Sequence, residues 1–133
     1  MERECDLVIL GGGMAGFTAA IFAGRCGLSP VLLMDYVIGG QILNIEKVMD
    51  FPGFPDGIPG YELGPLVQQQ AEAAGAEIVM EEVTAVATAA GARFHLETGT
   101  GSSFLAKALI VATGSALRKL GGKMSGATVP TTL

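Results

Sequence analysis

Asp6-Leu7-Val8-Ile9-Leu10, Gly11-Gly12-Gly13-Met14-Ala15-Gly16 and Val31-Leu32-Leu33-Met34-Asp35 belong to one stretch, around which the rest of the chain is arranged. An apolar run breaks into clustered glycines, then resumes with helical spacing that ends at Gly27. A strand, a tight turn and a helix need this pattern when a phosphate must sit against bare backbone. The glycines at 11, 13 and 16 have separable jobs. The first makes the turn, the second admits a pyrophosphate to the backbone, and the third lets helix and strand pack closely. Asp35 ends the second strand, 19 residues after Gly16. Its carboxylate can accept hydrogen bonds from ribose hydroxyls and repels a ribose 2′-phosphate. The stretch predicts a dinucleotide-binding βαβ unit that favours FAD or NAD over NADP; the competing reading is an ordinary glycine turn beside a surface aspartate.

The flanks extend that unit. Cys5 to Leu10 is too continuously apolar for a one-sided strand and predicts a central parallel strand covered on both faces. Gly16, Ala20, Ala23 and Gly27 fall on one helical face, a row of small residues able to lie tight on a sheet. Cys5 and Cys26 sit at the end away from the glycine turn, where they are read as small buried residues rather than a disulfide framework.

Further along, Tyr36 to Gly60 reads as a long functional loop. Tyr61 to Ala74 predicts a helix with Leu63, Leu66, Val67, Ala71 and Ala74 as its buried stripe and Gly75 as its stop. A third strand lies within Ala76 to Val86. Thr84 to Ala90, Ala92 to Thr98 and Ser102 to Ala108 then read as an antiparallel meander. Arg93, His95 and Glu97 share its outer face, so the single histidine is expected at the surface. Leu109 to Gly114 returns to the buried parallel type, and Ser115 to Leu133 shows no strong period.

Composition bounds the function. The 133 residues are half apolar, enough for one domain with a genuine core. A net charge of -5 with no basic block argues against nucleic acid or an anionic membrane as the main partner. The uncharged run from Leu7 to Gly24 is 18 residues long, but three consecutive glycines weaken any spanning helix and Met1-Glu2-Arg3-Glu4 carries no net positive charge. A cytoplasmic protein with a small-molecule partner is expected.

Four motifs in order, Gly11-x-Gly13-x-x-Gly16, Gly39-Gly40-Gln41, Phe51-Pro52-Gly53 and Ala112-Thr113-Gly114, resemble the N-terminal segment of the low-molecular-weight thioredoxin reductases and related flavin-dependent pyridine nucleotide disulfide oxidoreductases. The resemblance covers roughly residues 5 to 120. It implies FAD in this first site. On that mapping Gly11, Gly13, Met14, Ala15 and Gly16 cradle the pyrophosphate, and Asp35 holds the adenosine ribose. Gly40, Gln41 and Asn44 lie along the ribityl and flavin side, Val83 meets the adenine through its backbone, and Ala112, Thr113 and Gly114 close over the cofactor. Met49 and Asp50 stand where the family commonly has a Glu-Asn pair, and a carboxylate cannot donate the hydrogen bond that an amide can.

The fold expected is α/β: a Rossmann-like FAD-binding βαβ domain with a parallel sheet and a small antiparallel meander, incomplete, over residues 1–120, with 121–133 a tail or linker. The family's second glycine fingerprint for NADPH and its Cys-x-x-Cys pair are not found in the sequence. The function expected is therefore the FAD-binding portion of a thioredoxin reductase-like NAD(P)H-dependent oxidoreductase, inactive alone. No residue is assigned as acid, base, nucleophile or metal ligand. A dinucleotide- or ADP-binding module without redox activity and a ligand-free remnant are the alternatives. A complementing chain or a homo-oligomer, a dimer at its simplest, is the expected macromolecular partner.

Overall fold

The computed structural model describes residues 2–116; the tail or linker expected at 121–133 lies outside them. Its elements are β1 (Glu2–Leu10), α1 (Met14–Arg25), β2 (Pro30–Met34), a short 3₁₀ helix (Gly40–Asn44), α2 (Gly60–Ala73), β3 (Glu77–Met80), β4 (Val83–Ala89), β5 (Arg93–Thr98) and β6 (Ser103–Val111). They form one six-stranded sheet in the order β3-β2-β1-β6-β5-β4. The pairs β3–β2, β2–β1 and β1–β6 are parallel; β6–β5 and β5–β4 are antiparallel. The expected Rossmann-like parallel sheet with its meander is therefore present as one continuous sheet.

That sheet cannot be flat. β3 and β4 lie at its opposite edges, about 24 Å apart if five strand spacings were laid side by side. Only Glu81 and Glu82 join them, a link that reaches roughly 11 Å fully extended. The meander therefore curls back over one face of the parallel strands.

Two cores result. On the helix side, Leu7 and Ile9 of β1 and Leu32 and Met34 of β2 meet Phe17, Ala20 and Ala23 of α1 and Leu63, Val67 and Ala71 of α2. Inside the curl, Val8, Leu10, Val31 and Leu33 meet Leu96, Phe104 and Ala106. Alternate residues of β1 and β2 thus feed opposite cores, which is why all five residues of β2 are buried.

Several expectations need correction. The small-residue row stops at Ala23: Gly27 is exposed with φ +84° and ends the helix, while Leu28 N–H bonds back to the Ala23 carbonyl. Leu66 is exposed, because Gly64 faces the core between Leu63 and Val67. Cys5 is buried as expected, but Cys26 caps α1 in solvent beyond the sheet. His95 is half-buried, its Nε2 3.2 Å from the Glu2 carboxylate. The last meander strand and the final parallel strand are one strand, β6, whose first half lies between β1 and β5 and whose second half pairs with β1 alone.

The loop from Tyr36 to Gly60 is packed rather than free. Val48 and Ile58 are buried and bridge each other through two backbone hydrogen bonds of 2.7 and 3.0 Å. Phe51 and Phe54 rest on the helix-side core with ring centroids 6.2 Å apart.

Candidate functional site

A cavity of about 810 Å³ opens at the carboxyl ends of β1 and β2, where the chain passes into the glycine turn on one side and Asp35 on the other. That volume suits a small ligand or cofactor. This is also where strand order reverses: β1 is flanked by β2, which follows it, and by β6, which comes last.

The floor is the glycine turn, and its three fingerprint glycines have different surroundings. Gly11 has φ +112°, and a Cβ there would run into the Ala112 carbonyl. A Cβ on Gly16 would run into the Gly11 carbonyl, so this glycine seats the helix on the turn itself. Gly13 has ordinary extended backbone, φ -86° and ψ -174°, and a Cβ there would meet no protein atom within 4 Å. No described residue stands in the way of a side chain at 13, and Gly13 itself lines the cavity.

α1 begins at this floor. No side chain caps its first turn and no acidic residue lies in it, so its leading N–H groups are left for a ligand in the cavity that Met14 and Ala15 line. Those donors and the positive end of the helix dipole suit a pyrophosphate without lysine or arginine. The charged residues lining the cavity are Asp35, Glu81 and Glu82, all acidic. One Asp35 oxygen accepts the Tyr36 N–H at 2.6 Å, which orients the exposed carboxylate.

The second glycine motif closes one side. Gly39 N–H donates to the Gly12 carbonyl at 2.8 Å, and the two loops dock as Gly13 bridges Gly39. Gln41, at the start of the 3₁₀ helix, donates from Nε2 to the Ser115 carbonyl. That bond joins the loop after β2 to the loop after β6 across the cavity mouth.

Of the residues expected at the site, Gly11, Gly13, Met14, Ala15, Asp35, Gly40, Gln41, Val83, Ala112, Thr113 and Gly114 line this one cavity. Gly16 lies beneath it, packed on the turn. Asn44 is exposed at the end of the 3₁₀ helix and outside the lining, as are Met49, Asp50 and Phe51-Pro52-Gly53. Sequence reasoning missed Glu81, Glu82, Thr84, Ala85, Val86 and Ser115. Glu81 and Glu82 lie just beyond the end of β3 and Ser115 beyond that of β6, whereas Thr84, Ala85 and Val86 lie within β4.

Comparison with known proteins agrees with this geometry. The thioredoxin reductase of Treponema pallidum is 39% identical over 121 residues, which cover 91% of this chain and 39% of that protein. The crystal structure of T. acidophilum thioredoxin reductase superposes with a TM-score of 0.81 at 37% identity, covering 91% of this chain and 39% of that one. A protein named glucosaminate ammonia-lyase, from Pseudomonas fluorescens, is 36% identical over 90% of this chain and 37% of its own. The chain thus spans somewhat under two-fifths of the length of these relatives, and relatives with differently named activities share the segment. The sequence profile of the pyridine nucleotide-disulphide oxidoreductases matches residues 5–132, and with its fold and glycine-floored cavity the chain belongs to that family, in the thioredoxin reductase-like branch.

Proposed function

We propose that this chain supplies the FAD-binding portion of a thioredoxin reductase-like NAD(P)H-dependent oxidoreductase. The observation that carries the reading is Gly13, the fingerprint glycine that the fold does not need and a close-lying pyrophosphate does. The amides that open α1 hold the pyrophosphate, Asp35 receives the adenosine ribose hydroxyls, and the backbone at Val83 receives the adenine. Gly40, Gln41, Ala112, Thr113 and Gly114 bound the ribityl and flavin side. Asn44, beyond the lining, is the weakest member of the proposed set. Bound there, FAD supplies hydride and electron transfer; the protein's part is to bind, orient and shield it.

Among the described residues, no cysteine or histidine lines the cavity. NADPH as hydride donor and a disulfide as acceptor are proposed for the whole enzyme, with residues outside this cavity. The domain assignment proposed is residues 1–120, in a cytoplasmic protein; among the described residues no helix is long and apolar enough to cross a membrane. Among the described residues, no strand pairs with the second side of Lys107 to Val111 of β6, which supports a complementing chain or a second copy as partner.

A titration of the full chain with FAD, followed by flavin absorbance and fluorescence, tests the reading. Saturable binding of one FAD, displaced by ADP and not by adenosine 2′,5′-bisphosphate, is the expected result. Binding of ADP with no affinity for the flavin part would favour the second reading, a nucleotide module without redox activity; binding of neither would leave a ligand-free fold.

A further inference from the structure

We propose that Glu81 is a positioning residue that fixes the wall of the cavity against which the adenine lies, an inference that rests on the adenine-nucleotide reading above. That wall is Val83 to Val86 at the start of β4. β4 is an edge strand, paired only with β5, and its register shifts between Val83 and Ala85. A bulge of this kind turns backbone groups away from the ladder and leaves the segment in need of another support.

Glu81 provides it. Its Oε2 accepts hydrogen bonds from Thr98 Oγ1 and Thr100 Oγ1, each at 2.6 Å, and its Oε1 accepts one from Ser102 Oγ at 3.2 Å. Thr98 is the one buried polar side chain among the described residues, and its hydroxyl also accepts the Ser102 N–H at 3.1 Å. Beside it, the Glu82 carbonyl accepts the Gly99 N–H at 3.0 Å. The hairpin turn 98–102 is thereby latched to the junction between β3 and β4, across the seam where the curled sheet meets itself. Although Glu81 lines the cavity, its oxygens are committed to three hydroxyls of its own chain, so it holds the wall rather than receiving the ligand.

The test compares ADP with inorganic pyrophosphate, which reaches only the glycine turn, in calorimetric titrations of the full chain and of E81A, E81Q and T100V. We expect ADP affinity to fall about tenfold in E81A and about threefold in E81Q and T100V, with pyrophosphate affinity unchanged. Amide exchange should quicken in E81A at residues 83–86 and 98–102 and not in the glycine turn. A merely structural role would lower Tm and leave the ratio of the two affinities as in the wild type, which would overturn the proposal. Should E81A not fold, E81Q and T100V decide by the same ratio. Wild-type protein that binds no ADP would overturn the reading and this inference together; wild-type binding with unchanged ADP affinity in the variants would overturn the inference alone.

Discussion

Gly11 and Gly16 are packed against carbonyl oxygens, whereas Gly13 faces open space, and substitution separates the two situations. Gly11→Ala and Gly16→Ala should each cost about 2–3 kcal/mol of stability, measured by urea unfolding, because backbone must move to admit the methyl group. Three carboxyls make a second prediction at this scale. Glu77 is held below the usual range by its paired hydrogen bonds from Arg3, Asp6 by the Lys107 ammonium at 2.6 Å, and Glu81 by the hydroxyls of Thr100, Thr98 and Ser102. A lowered carboxyl stabilises the fold above its ordinary value, and that contribution is lost as pH falls through the lowered one. Tm should therefore be nearly flat down to about pH 4.5, the ordinary glutamate value, and fall below it. E77Q should have a lower Tm at neutral pH and a shallower acid slope; an identical slope would remove Glu77 from the account. Asp35 and the glycines were legible as site residues because their signal is local, a fixed spacing along one βαβ unit. Glu81 was not, since its three partners lie 17 to 21 residues away in sequence.

Among the elements, β1 and β2 could be read from continuous apolar runs because both of their faces are covered, and α1 and α2 from helical spacing because each buries one face. Phe17 was missed as a core residue although it lies three positions before Ala20. It is fully buried, and Phe17→Ala should cost about 3–5 kcal/mol. β6 could not be read as one strand, since its halves have different surroundings: Phe104 and Ala106 are buried in the curl, while Ile110 and Val111 are exposed. Among the described residues the edge from Lys107 to Val111 is unpaired on one side and carries the exposed Ile110 and Val111, a surface of the kind that strands use to pair. Sedimentation should show concentration-dependent association of the full chain, reduced by I110K. A monomer at all concentrations would mean that this edge is protected.

For the whole molecule, the curl of the sheet decides what the site contains. Pattern alone indicated a parallel sheet and a meander, but not that two residues between β3 and β4 must fold one over the other. That closure brings Val83 to Val86 to the cavity, while the pairing of β6 with β1 sets Ala112 to Ser115 beside the glycine turn, with Ser115 within reach of Gln41, 74 residues away in sequence. The Ala112-Thr113-Gly114 motif was legible, but Glu81, Glu82, Thr84, Ala85, Val86 and Ser115 carry no local signature of a cavity wall. On the proposed reading, this cavity is built around a dinucleotide pyrophosphate lying on Gly13. Paired titrations of the wild-type chain and G13A with FAD, alongside their thermal unfolding, test it most directly. Binding should be saturable in the wild type and at least about tenfold weaker in G13A, with stability changed by no more than about 1 kcal/mol. Equal affinity in the two proteins, or no binding by the wild type, would contradict it.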